Sequence, residues 1–274
     1  MKKLLILALI PFLIECNSKP KKMEDKNTWD SYMAMYEKGP GSMVYNTSLI
    51  KTAPNKDMQF IVITGVTFKN CTKDGLPEKD EFENLYKISD DVQKIIEELT
   101  QIAYAGSFTY QCQRLDYIYV KDTTDIKNKL SELYKSKYNN YTPYINIKQD
   151  INWEAYLQFL YPNEETQEFT KNQKILSQLQ ANGDDLTKPR HVDYWIYFNN
   201  ETDRDAFKKI IINEGFKVEN EDKLNDNSAK PFKLHISRID SVNINYITKV
   251  TLGLRDAAKQ TNGDYDGWET VIIK

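Results

Sequence analysis

Histidine occurs twice in 274 residues, cysteine three times and glycine ten times. That stock leaves few ways to build a metal centre, a catalytic imidazole or a glycine-rich phosphate cradle. No Gly-x-Ser-x-Gly elbow and no phosphate loop is present, so no catalytic residue, metal or other cofactor and no small-molecule substrate is expected. Positive charge is not in excess either: 37 Lys and Arg against 40 Asp and Glu give a net charge of -3. Without a global basic field to hold a phosphate backbone, nucleic acid is not an expected partner. What is present is material for a core, with 40% hydrophobic and 12% aromatic residues. The length suits two domains of ordinary size, ~100 to 150 residues each.

The longest apolar run, residues 4–14, is interrupted by Pro11 and falls well short of the ~20 residues that cross a bilayer. Lys2 and Lys3 precede it, and Cys16 and a polar stretch, Asn17 to Lys22, follow. The pattern resembles a bacterial lipoprotein signal, in which Cys16 becomes the lipidated N-terminus. Leu13 fits the position three residues before the cysteine, whereas Glu15 stands where a small residue is usual. The expectation is a signal peptide over 1–15, a tether over 16–28 and a membrane-anchored lipoprotein of the bacterial cell envelope. Plain secretion, a periplasmic location or an unprocessed anchor are the alternatives, with a cytoplasmic chain behind them.

Beyond the tether the pattern of periods is β-α-β-β-α-β, twice. Over 29–162, strands are read at 58–68, 108–111, 115–120 and 144–147. Helices are read at 78–100 and 122–134, where apolar residues recur every three or four positions. Residues 163–189 are polar, carry one short apolar stripe and read as a linker containing a helix. Over 190–274, Val192, Tyr194, Ile196 and Phe198 alternate with Asp193, Trp195, Tyr197 and Asn199 as a strand. A helix with Phe207 and Ile211 ends at Gly215, a short strand lies at 216–218 and another carries Leu234 and Ile236. Ser241 is placed to cap the last helix, and 268–273 is read as the final strand. The fold class is therefore α+β, two ferredoxin-like domains after a signal peptide.

The ending Gly263-Asp264-Tyr265-Asp266-Gly267-Trp268, with the strand and helix before it, resembles the regulator of ribonuclease E activity B family. Asp193 to Phe198, Asp203 to Phe207 and Glu214-Gly215-Phe216 fit the start of the same family. The resemblance implies a small ferredoxin-like domain that binds protein and has no catalytic residues to carry over. Trp29, Tyr32, Asp74-Gly75-Leu76-Pro77 and the stretch 153–162 resemble the bacterial domain of unknown function 695, which implies no function. Ribonuclease E is cytoplasmic, so export would mean that the domain serves another partner.

Three constellations bear on chemistry. Asn262, Asp264, Asp266 and Gly267 have the opening spacing of a calcium loop, but its closing Glu falls at Ile273; a turn between helix and strand explains them better. His191 and His235 have no cysteine or acid at ligand spacing and read as surface or interface residues. Cys71 and Cys112 are expected at the same end of the sheet but two strand spacings apart, ~10 Å, beyond the ~7 Å that a disulfide tolerates; only a loop excursion brings them together, and their pairing stays open. Finally, if Val192, Tyr194, Ile196, Leu234 and Ile236 face the helices, then Trp195, Tyr197, His235, Val271 and Ile273 face away, which is too apolar for a wetted sheet. Aromatics on an open sheet are similar to those of RNA-recognition domains, but the Lys/Arg-Gly-Phe motif of those domains is missing. These residues are expected to be covered by the first domain, a dimer mate or another protein. The functional expectation is an exported, non-catalytic protein-binding module. A cytoplasmic regulator of ribonuclease E and, more distantly, a carboxylate-dependent hydrolase are the alternatives.

Overall fold

The computed structural model describes residues 27–225 and 228–274. The expected signal segment, with Cys16, lies outside the described residues. The chain begins with a hairpin, β1 (Trp29–Tyr36) and β2 (Gly39–Asn46), followed by a 3-10 turn (Thr47–Lys51). Then come β3 (Phe60–Thr67), α1 (Glu81–Leu99), β4 (Ile102–Tyr110), β5 (Gln113–Val120), α2 (Ile126–Lys137), β6 (Thr142–Gln149) and a π-helical turn (Ala155–Leu160). After α3 (Glu164–Ala181) follow β7 (Arg190–Phe198), α4 (Glu201–Asn213), β8 (Lys217–Lys223), β9 (Phe232–Asp240), α5 (Ile244–Gln260) and β10 (Gly263–Thr270).

Two antiparallel sheets result, in the orders β1-β2-β4-β5-β3-β6 and β10-β7-β9-β8. The architecture is α+β, as the sequence indicates. The hairpin β1–β2 has no counterpart in the sequence reading because both faces of Trp-Asp-Ser-Tyr-Met-Ala-Met-Tyr carry apolar residues, so no period of two emerges. It extends the first sheet beyond β4.

Each helix forms where its stripe can be buried. In α1 the residues Leu85, Ile88, Val92 and Ile96 share one face and pack with Val62, Ile118, Val120 and the α2 residues Ile126 and Leu130. In the C-terminal unit Phe207, Ile211, Ile247 and Leu254 pack on Val192, Tyr194, Ile196, Phe198, Leu234 and Ile236. Asparagine side chains supply the N-caps of α3, α4 and α5: Asn163 accepts from the Thr166 amide at 2.8 Å, Asn200 from that of Asp203 at 2.9 Å and Asn243 from that of Tyr246 at 3.0 Å. The cap of α5 is therefore Asn243 and not Ser241. Its hydroxyl instead accepts from the Asn243 amide group at 2.9 Å.

The segment expected as a linker is mostly α3, and it belongs to the C-terminal core, where Leu176 and Leu179 are buried. Its polar composition conceals this because the buried side also carries Glu168 and Asn172.

Candidate functional site

The two sheets differ in how their second faces are treated. In the first, the face away from α1 and α2 is sealed by the stretch after β6. The Trp153 ring lies on Tyr119 at a centroid distance of 3.8 Å and an interplanar angle of 5°, and its indole N–H donates to the Met58 carbonyl at 2.8 Å. The Tyr119 hydroxyl donates to Asp150 at 2.7 Å, and Asp150 also accepts from the amides of Glu154 and Ala155. Tyr156 and Leu160 complete this second core with Met43, Ile61 and Tyr117. Nothing comparable covers the second sheet among the described residues.

On that open face alternation along β7 presents His191, Asp193, Trp195 and Tyr197, all at least partly exposed, while Val192, Tyr194, Ile196 and Phe198 are fully buried beneath the helices. The expected register is thus the observed one. Trp195 stands directly across from His235 on β9, and the two rings stack at 5.0 Å and 10°. His235 Nε2 lies 2.7 Å from Asp193, and His191 Nδ1 lies 3.3 Å from the other oxygen of the same carboxylate. One aspartate therefore holds both histidines of the protein. The partner of His235 comes from the neighbouring strand of the sheet, 42 positions away in the chain. On β8, Glu219 accepts from the Ser237 hydroxyl at 2.7 Å and pairs with Lys217 at 3.0 Å; these bonds hold its carboxyl below the usual range. Among the described residues no group of three or more histidines, cysteines and acids is placed to hold a metal ion.

Two further residues assigned to this face do not join it. β10 ends at Thr270, so Val271 and Ile273 lie beyond the sheet. Val271 is exposed, and Ile273 is tied elsewhere: its amide donates to Asp184 at 2.8 Å and its carbonyl accepts from the Asp185 amide at 2.7 Å. Asp184 is in turn held by Arg190 at 2.6 Å, and that bond holds its pKa below the ordinary carboxylate value.

The motif Gly263 to Trp268 is not a turn but most of β10, with a bulge at Asp266 between Tyr265 and Gly267. The bulge puts both Tyr265 and Trp268 on the covered side, where both are buried. The Trp268 indole donates to Asn172 of α3 at 2.7 Å, and the Asn172 amide group donates to Thr248 at 3.2 Å and Thr251 at 3.0 Å on α5. Arg255 bonds the buried Glu168 at 2.5 Å beside Tyr265, whose hydroxyl burial pushes well above its ordinary value. The motif's tryptophan thus joins β10, α3 and α5; sequence reasoning missed Asn172, whose only signal is its position one helical turn before the buried Leu176.

Cys71 and Cys112 are bonded, with Cα atoms 5.7 Å apart rather than the ~10 Å of two strand spacings. Cys112 is not at the end of β4 but in the two-residue turn into β5, with Gln111 and Cys112 both at positive φ, 50° and 58°. The 71–77 loop folds onto this turn: the Cys112 amide donates to the Gly75 carbonyl at 2.8 Å. A Cβ at Gly75 would lie 2.9 Å from Gln111 Cα, so glycine is what permits the approach.

These features define a class: a two-unit α+β protein in which the central strands of one sheet are covered on both faces, while among the described residues the other sheet keeps a face open. Residues 169–270 match the family described as Regulator of ribonuclease activity B, and residues 27–161 match the Family of unknown function (DUF695). Both resemblances drawn from the motifs are borne out. No curated protein matches the chain. A crystal structure of an unknown protein from Galdieria sulphuraria aligns over 78% of this chain and 99% of that chain, at 10% identity and a TM-score of 0.23.

Proposed function

We propose that this protein acts by binding another protein through the open face of its C-terminal sheet, without catalysis. The observation that carries the reading is the unequal treatment of the two sheets. Trp195, Tyr197 and His235 are gathered on a face that no described segment covers, and a tryptophan at the centre of such a face is a usual binding hot spot. The match of residues 169–270 to a family of ribonuclease regulators supports a regulatory protein contact. Both units are read as ferredoxin-like: leaving out the β1–β2 hairpin, the first strand of each β-α-β-β-α-β set, β3 or β7, is flanked by the third and fourth of its set, with both helices on one face.

A photo-cross-linking side chain at Ile239, exposed on the open side of β9, tests this in the native cell. An adduct with another polypeptide is expected, and none from Ile212 on the outer surface of α4. Equal silence at both positions removes the reading.

The setting proposed is the bacterial envelope, with Cys16 carrying a lipid. The N-terminal pattern supports it, and Cys16→Ser should release the protein from membranes; retention with unchanged processing rejects the anchor. The second reading, a cytoplasmic regulator of a ribonuclease, draws on the family match, and cell fractionation separates the two.

A further inference from the structure

We propose that the open face receives an arginine side chain of its protein partner, in a notch over Gly267 beside Trp195; this rests on the docking reading above and names the chemistry that the face selects. The Trp195 ring has one side stacked on His235, which belongs to β9. Because the rings are nearly parallel and β7 lies between β9 and β10, the other side of the indole is turned toward β10. The residue directly opposite Trp195 there is Gly267, and a Cβ added to it would meet nothing within 4 Å. A slot is therefore left along the free indole face.

Its two ends are acidic. On β10, Asp264 stands opposite Tyr197 and Glu269 opposite Asp193. Asp264 and Glu269 are both exposed; Asp264 meets Lys230 at 2.7 Å, while the Glu269 carboxylate has no hydrogen-bond or ion-pair partner among the described residues. Two carboxylates directly across an antiparallel pair repel, and the Asp193–Glu269 pair is relieved when a cation lies over it. A planar guanidinium stacks on an indole and donates to carboxylates at the same time, which a compact ammonium does less well. The platform is held ready: Asp193 fixes His235, and His235 supports the indole, so little ordering remains to be done on binding.

The test is a titration of the whole protein, followed by the Trp195 indole N–H signal in NMR. The probes are a capped pentapeptide of four alanines around one arginine and its citrulline counterpart. The arginine peptide is expected to bind at least tenfold more tightly, with the advantage falling as salt is raised. Gly267→Val fills the slot at a backbone position that tolerates a side chain, and Glu269→Gln removes one charge. Each should cut the response at least fivefold while the melting temperature stays near that of the parent. Equal response to arginine and citrulline, no response to either, or full response in G267V overturns the notch. The Ile239 cross-link separates this from the docking reading: an adduct that persists alongside indifference to arginine removes only the notch, whereas loss of the adduct removes the docking face itself.

Discussion

At the scale of single residues, the C-terminal unit depends on a few buried polar nodes. Asn172 has its carbonyl filled by Trp268 and its amide by two threonines. Trp268→Phe keeps an aromatic ring but strands the Asn172 oxygen, which should cost about 2 kcal/mol in chemical denaturation; a smaller loss in the double variant Trp268→Phe, Asn172→Leu would show that the unpaired oxygen is the cause. Asp184 and Arg190 form a second node, with both side chains inaccessible to solvent. Because the folded-state value of Asp184 is lowered, chiefly by the hydrogen bond from Arg190, its contribution is fully present above the unfolded carboxylate value of about 3.9 and is lost as pH falls through the folded value. Asp184→Asn leaves a buried guanidinium without its counter-charge, for an expected loss of about 3 to 5 kcal/mol at neutral pH. The gap between variant and parent should close in melts carried out progressively below pH 4.

At the scale of elements, local signals placed the helices well and the turns poorly. Apolar spacing in α1 and α5 is strong because each buries a continuous stripe, and the structure trims the expected ends by only a few residues. The β4–β5 turn was legible only as a break, whereas its left-handed geometry at Gln111 and Cys112 decides where the disulfide can form. That bridge ties residues 41 positions apart, and a loop of this length restricts the unfolded chain by about 4 kcal/mol on the chain-entropy model. Replacing both cysteines by serine should lower stability by up to that amount, and adding reductant to the parent should reproduce the loss. An unchanged denaturation midpoint would show that the thiols are not joined in solution.

At the scale of the whole molecule, the two units are joined by α3, which is packed into one and only touches the other. Its apolar side enters the C-terminal core, while Gln173, Lys174 and Ser177 line an open cleft of about 420 Å³ against Ser31, Tyr32, Met33 and Ser42 of the hairpin. An ion pair across this junction, Lys174 with Asp30 at 2.7 Å, has both partners exposed; such a pair contributes about 0 to 1 kcal/mol. A fragment of residues 163–274 should therefore unfold cooperatively by itself. The shorter piece 190–274 lacks Asn172, Leu176 and Leu179 and should be molten or aggregated; cooperative unfolding of this shorter piece would show that α3 is dispensable.

The amino-acid sequence by itself determined the α+β class, the order of the helices and most of the strands and the register of β7, because these follow from periods of two and 3.6 that each segment carries within itself; the two family resemblances rest instead on short motifs such as Gly263 to Trp268 and Asp74 to Pro77. Trp195, Tyr197 and His235 were legible as residues of an uncovered face from the same periods. The tertiary structure alone decided what meets across strands and elements. It put His235 and His191 on one aspartate, bonded Cys71 to Cys112, made α3 part of a core and ended β10 before Val271 and Ile273 could join the face. The difference is physical: periodicity is a property of neighbours along the chain, whereas a cross-strand hydrogen bond, a bulge and a turn's handedness depend on register and loop path, which are set only when distant segments pack together.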